Sequence, residues 1–117
     1  MIIKGDDKLR DVSGLSETEK QRILDFLQGA VYCWCKNRKG ECFSILELMG
    51  GDNRDWNGTP LQTLYDKHRL NGKDDKEAWD VAGQESGWLL KETIHRDERR
   101  FETESTAINR RYRWLEG

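Results

Sequence analysis

Apolar side chains recur at helical spacing in the first strong pattern of the chain, between residues 16 and 40. They occupy Ile23, Leu24, Phe26, Leu27, Ala30, Val31 and Trp34. This spacing places one apolar stripe along a helix. Ser16 and Glu19 have the capping-box arrangement, in which each side chain bonds to the backbone amide of the other residue. We therefore predict a helix that begins at Ser16 and ends within residues 37–40.

Two shorter helices are predicted in the middle of the chain. Ser44 and Glu47 form a second capping box, and the glycine pair at 50–51 ends that helix. The next helix is predicted to have Thr59 as its cap, with proline in its first turn, and to end at residues 71–72.

Residues 74–97 allow two interpretations, because Gly83 and Gly87 interrupt an otherwise helical pattern. The interpretation that we favour has two helices, 74–82 and 88–96, around a tight glycine turn. The alternative is one long helix, in which each glycine costs about 1 kcal/mol relative to alanine.

The last part of the chain alternates between apolar and polar residues, as in a β-hairpin. One register gives an aromatic face and a charge-paired face, which supports it over other registers. Its pairs are Phe101 with Trp114, Glu102 with Arg113, Thr103 with Tyr112, and Glu104 with Arg111. With residues 1–4 as an edge strand and 5–14 as a loop, we predict an α+β fold of four or five helices and a small C-terminal antiparallel hairpin, resembling a winged helix.

Composition fits one domain spanning residues 1–117. The chain is 36% charged and 35% hydrophobic, has five tryptophans and carries a formal net charge of −2. This balance indicates a compact core under a charged surface, without a general affinity for nucleic acid or membranes.

Cysteine usage favours a reducing, cytoplasmic location. The cysteines are Cys33, Cys35 and Cys42, and three cannot all pair within the chain. We also expect neither a secretory signal nor a membrane-spanning segment, since no apolar run approaches the roughly 18 residues that a span requires.

The order helix, turn, helix, hairpin resembles that of a winged helix-turn-helix. In that comparison the second helix would be the recognition helix, and basic side chains on it and beyond would contact DNA. The candidate nucleic-acid contacts are Lys91, His95, Arg96, Arg99 and Arg100. The alternative is a solvated charged face or a protein contact, because acidic residues accompany these cations in the sequence.

The polar loop around Trp56 is a candidate protein contact. Trp56 lies between polar neighbours, and an exposed tryptophan beside Arg54 and Asp55 is a typical interface anchor. The alternative is that Trp56 folds back over the core. Residues 53–58 resemble half of a calcium loop, but Leu64 stands where a bidentate glutamate belongs, so a turn is the favoured interpretation.

The sequence indicates no catalytic residue, cofactor, metal site or small-molecule ligand. The cysteines lack the spacing of zinc ligands, and His68 and His95 have no nucleophile at motif spacing.

Residues 48–64 resemble a segment of small uncharacterised bacterial proteins from mobile elements and integron gene cassettes. The resemblance implies a bacterial, accessory, cytoplasmic protein and transfers no functional residues. Our first hypothesis is a non-enzymatic module that binds a protein partner or forms a homodimer. The second is a winged-helix DNA-binding protein, and the third is an enzyme whose site combines distant residues.

Overall fold

The computed structural model describes residues 1–51 and 55–116 and confirms the α+β class. In chain order the elements are β1 (Ile2–Lys4), α1 (Glu17–Asn37), α2 (Ile45–Leu48), α3 (Gln62–Leu70), α4 (Asp75–Arg96), β2 (Phe101–Ser105) and β3 (Arg110–Trp114). The described part thus has four helices and one three-stranded sheet. None of its helices is both long and apolar enough to span a bilayer.

The first two helices begin as their capping boxes predict. The Ser16 hydroxyl accepts from the Glu19 amide at 3.1 Å, and the Glu19 carboxylate accepts from the Ser16 amide at 2.9 Å. At α2 the Glu47 carboxylate accepts from the Ser44 amide at 3.0 Å. The predicted apolar stripe of α1 is the face that enters the core, with Ile23, Leu24, Leu27, Val31 and Cys35 buried.

The start predicted for α3 is two residues too early. The helix begins at Gln62, and its N-cap position is Leu61. The Thr59 hydroxyl instead donates to the carbonyl of Trp56 at 2.8 Å and closes the turn before the helix. The local hydrogen bond to Trp56 therefore replaces the cap that the sequence suggested.

The favoured division of residues 74–97 into two helices is also wrong. Asp74 caps a single helix by accepting from the Glu77 amide at 2.8 Å, and α4 then continues to Arg96. Gly83 and Gly87 lie inside it. Burial of Ala78, Ala82, Leu89, Leu90 and Ile94 offsets the helix-propensity cost of the two glycines. The helix-turn-helix element on which the winged-helix comparison depended is therefore replaced by one continuous helix.

The sheet has the order β1-β2-β3 and the predicted hairpin register. Phe101 pairs with Trp114, and the pairing continues in step to Ser105 with Arg110. The predicted edge strand is present as β1, which runs parallel to β2. A bridge between Phe43 and Tyr112 extends the sheet on its other side, with both backbone hydrogen bonds formed.

A glycine turns the chain immediately after β1. Gly5 has φ of +104°, and a Cβ there would lie 2.1 Å from the Thr103 carbonyl oxygen. Only glycine permits this approach. The turn directs residues 6–10 across the molecule towards α4.

One continuous core joins the helices and the sheet. Leu27 and Val31 of α1 and Leu90 and Ile94 of α4 belong to the same buried cluster as Phe101 and Tyr112 of the sheet. The Phe43 ring sits among the rings of Trp34, Phe101 and Tyr112, with centroid distances of 5.7, 6.4 and 5.8 Å.

Candidate functional site

An open groove runs along one face of α4, and we call it the α4 groove. Its volume is about 840 Å³. Residues 6–10, α2 and the turn at 108–110 form its sides, and α4 residues between Trp79 and Lys91 form its floor. The size is that of an ordinary ligand site.

One end of the groove is aromatic. The Trp56 and Trp79 rings meet edge to face with centroids 5.2 Å apart, and Tyr65 stacks on Trp79 at 4.2 Å. Trp56 and Trp79 both line the groove. This end therefore offers a rigid apolar surface with little conformational entropy to lose on binding.

The expectation that Trp56 is an exposed anchor is wrong. Only 7% of Trp56 is exposed, and it packs into the core as the alternative interpretation held. The neighbouring Asp55 is exposed, and its carboxylate accepts from the Asn57 amide at 3.1 Å, which forms the expected turn. Arg54 lies outside the described residues.

The floor of the groove is formed by glycine. Gly83 and Gly87 are four residues apart, so they share one face of α4. A Cβ added at either position would have no atom within 4 Å among the described residues. The missing side chains thus leave open space that belongs to the groove.

The other end of the groove is polar and carries more positive than negative charge. Lys91 is buried, and its Nζ lies 3.6 Å from an Asp6 carboxylate oxygen. Arg110 lies 3.9 Å from the same oxygen. Burial lowers the pKa of Lys91, and the neighbouring charge of Arg110 lowers it further, although Asp6 opposes both effects. Two cations therefore share one carboxylate.

Tyr112 completes this polar end. The residue is 2% exposed, and its hydroxyl has no hydrogen-bond partner among the described residues. Burial raises the pKa of the hydroxyl, while Arg110 acts to lower it. A neutral hydroxyl in this position is a donor that lacks an acceptor.

Asp6 is held in place by its own loop. Its other carboxylate oxygen accepts from the Lys8 amide at 2.9 Å. That hydrogen bond is the main reason why the pKa of Asp6 is lowered, and Lys91 and Arg110 lower it further. Further along the same side of the groove, the Arg10 guanidinium lies over the Trp88 ring, 5.5 Å from its centroid.

The structure does not gather the candidate nucleic-acid residues into one site. Lys91 faces the groove, whereas Arg96 pairs with Glu92 at 2.8 Å. Arg99 pairs with Asp97 at 2.7 Å and lies over the Tyr32 ring. The other two candidates, His95 and Arg100, are exposed.

A buried ionic cluster that sequence reasoning missed links α3 to α4. Glu85 accepts from Lys67 at 2.9 Å, and its second oxygen lies 2.6 Å from Nε2 of His68. None of the three residues is among those that line the α4 groove. Their position between two helices is that of a structural link, and in sequence they are separated by the turn that joins those helices.

The described residues contain no group of three or more His, Cys, Asp or Glu side chains that could hold a metal ion. Cys33, Cys35 and Cys42 are free thiols. No family model matches the chain, and neither a curated protein nor a solved structure matches it.

Proposed function

We propose that this protein is a non-enzymatic binding module that holds an extended segment of a partner protein in the α4 groove. The observation that carries the proposal is the groove itself, which is aromatic at one end, glycine-floored in the middle and cationic at the other end. Such an arrangement suits a chain that presents different side chains along its length.

The length of the groove favours a peptide segment. Its floor extends from Trp79 to Lys91, which is about 18 Å of helix. An extended chain covers that distance with about five residues. The open glycine face between the two ends lets a backbone lie close to the helix.

The chemistry of the groove favours an apolar residue at one end of the segment and an acidic residue at the other. The half-buried Trp79, with the buried Trp56 packed against it, would receive the apolar side chain. Four cationic and two anionic side chains line the groove, although the whole chain has a formal net charge of −2. The groove is therefore positively charged in a molecule whose net charge is negative, which supports an anionic partner.

Nucleic acid is a weaker candidate than protein as the partner of this chain. Arg96 and Arg99 are each paired with a carboxylate, and α4 continues through the expected turn.

A bacterial, cytoplasmic setting, as in the mobile-element and integron-cassette proteins that residues 48–64 resemble, is part of the proposal. The free thiols support a reducing compartment.

Selection of displayed random peptides against the full chain tests the proposal. Gly83→Leu and Gly87→Leu fill the groove without meeting another atom at Cβ, and Gly29→Leu is the matched control, since Gly29 is a helical glycine with the same free space outside the groove. We expect selected peptides to bind the wild-type and Gly29→Leu chains equally. Filling the groove should weaken binding by about tenfold or more.

Three outcomes would contradict the proposal. Peptides that bind the filled variants as well as the wild type would place the contact elsewhere. A wild-type dimer that dissociates when Gly83 or Gly87 is replaced, measured by sedimentation, would make a second copy of this chain the occupant. A labelled DNA duplex that binds with a steep salt dependence and competes with the peptides would show that the groove binds nucleic acid.

A further inference from the structure

The polar end of the α4 groove has donors and positive charge beyond what the protein itself neutralises. Lys91 and Arg110 both approach one oxygen of Asp6, at 3.6 and 3.9 Å. These distances are long for direct hydrogen bonds. Arg110 also donates from Nη1 to the Thr103 hydroxyl at 3.2 Å, but a guanidinium has five donors and an ammonium three, so both cations retain donors for another acceptor.

Burial makes unpaired donors and uncompensated positive charge unfavourable unless a ligand binds to them. Lys91 is 8% exposed and Tyr112 is 2% exposed, and the Tyr112 hydroxyl is unpartnered among the described residues. Buried polar groups are ordinarily paired, because an unpaired one loses its hydrogen bonds to water without replacing them. A cluster of a buried ammonium, a guanidinium and a free hydroxyl is an arrangement that suits an incoming anion.

We propose that Lys91, Arg110 and Tyr112 form a carboxylate subsite, which binds the acidic side chain of the partner segment. The inference rests on the proposed function and specifies which chemical group the segment must carry at this end. Lys91 and Arg110 supply charge-assisted hydrogen bonds, and Tyr112 donates its hydroxyl to the same carboxylate.

Charge balance favours a carboxylate over a phosphate. Lys91, Arg110 and Asp6 together carry one net positive charge, which a monoanion neutralises, and the exposed Asp7 adds a solvent-screened negative charge that also acts on Lys91. A dianion would leave a net negative charge against partly buried side chains, where uncompensated charge is costly. The carboxylate of Asp6 already shows that this chemistry is accommodated beside both cations.

Asp6 also affects how tightly the subsite binds an anion. Its side chain is 52% exposed, so water screens its attraction for Lys91. It repels the incoming carboxylate and shares the cations with it. We therefore expect Asp6 to set the affinity of the subsite, and its removal to strengthen anion binding.

Titration of the isotope-labelled full chain with sodium acetate, followed by NMR, tests the subsite without any peptide. Sodium chloride at equal ionic strength is the blank, and sodium phosphate is the competing anion. We expect saturable acetate shifts at residues 91, 110 and 112. Lys91→Gln should weaken acetate binding by about tenfold and Tyr112→Phe by about threefold.

Further variants separate the subsite from general charge and from folding. Asp6→Asn should strengthen acetate binding by about threefold, and Lys36→Gln, an exposed lysine outside the groove, should leave it unchanged. Arg110→Gln should also weaken acetate binding. Because the Arg110 side chain is more exposed than that of Lys91, this variant tests the subsite even if Lys91→Gln unfolds the chain.

The outcomes for the subsite and for the proposed function are distinguishable. Acetate shifts that do not saturate, or that persist in both Lys91→Gln and Arg110→Gln, would overturn the subsite. Tighter binding of phosphate than acetate would overturn the choice of carboxylate. Saturable acetate binding alongside a failure to select any groove-binding peptide would retain the subsite and reject the proposed function.

Discussion

Asp97 shows how a single residue determines what its basic neighbour can do. Its carboxylate accepts from the Arg99 guanidinium at 2.7 and 2.9 Å and from the Gln28 side chain at 2.8 Å. The Arg99 guanidinium is therefore held by the protein's own side chains, and it also lies over the rings of Tyr32 and Trp114. The sequence identified Arg99 as a surface contact because it shows the charge of a residue but not its partners.

Stability should depend on pH through Asp97. Burial acts to raise the pKa of Asp97, but hydrogen bonds from Arg99 and Gln28 outweigh it and lower the pKa. A folded-state pKa below the unfolded value of about 3.9 means that the stabilisation is present above that pH and is lost as the pH falls through the folded pKa. Asp97→Asn should lower the free energy of unfolding at neutral pH by about 1–3 kcal/mol.

Urea unfolding at a series of pH values measures both effects. The Asp97→Asn chain should lose less stability than the wild type between about pH 4 and about pH 2. Asp25→Asn, at an exposed position on α1, is the control and should follow the wild-type profile. Parallel acid profiles for the wild type and Asp97→Asn would show that Asp97 does not supply the expected pH dependence.

Single-residue predictions from the sequence succeeded where the interaction is local. The Ser16–Glu19 box was predictable because both partners lie within one helical turn. The hairpin register was predictable because alternation on both strands allows one pairing that satisfies both faces. The direction of Trp56 was not predictable, since it depends on Trp79, which belongs to another element.

At the scale of elements, α4 contains two residues that weaken a helix and that also form part of the groove surface. Gly83 and Gly87 weaken the helix by about 1 kcal/mol each relative to alanine. The fold does not need them, because a Cβ at either position would meet open space. The propensity argument from the sequence was correct but the predicted break in the helix was wrong, since burial of the opposite face of α4 outweighs two unfavourable residues.

Gly83→Ala and Gly87→Ala should each raise the free energy of unfolding by about 1 kcal/mol, because alanine reduces the entropy of the unfolded chain and favours helix. Thermal unfolding followed by circular dichroism measures the gain. Gly29→Ala in α1 should stabilise the protein similarly, while only the α4 variants should weaken peptide binding. Destabilisation by both α4 variants would mean that the glycines are required by the fold and not by the groove.

At the scale of the whole molecule, the groove combines residues that are far apart in sequence. Asp6, Lys91, Arg110 and Tyr112 converge only after the sheet has formed and Gly5 has turned the chain. The sequence contained one local sign of this surface, the spacing of Gly83 and Gly87 on one helical face. The remaining groove residues follow no repeat or motif, and their assembly depends on the tertiary fold.

The shared core predicts that the whole chain unfolds in one transition. Trp56 and Trp79 report on the region between α3 and α4, whereas Trp34 and Trp114 lie near the sheet. Urea curves from tryptophan fluorescence and far-ultraviolet circular dichroism should therefore coincide. Curves with separate midpoints would contradict a single domain. The buried link of Glu85 to Lys67 and His68 supports a common transition for α3 and α4.

The parallel pairing of β1 with β2 has a consequence for the order of events during synthesis. Ile2 is made almost a hundred residues before its partner Phe101. Residues 6–10 follow β1, so this side of the groove can close only when β2 is available. Helices α1 and α4 can pair earlier. Folding would thus pass through a helical state in which the groove is still open, and the rate of this last, long-range step would set how soon a new molecule completes the groove.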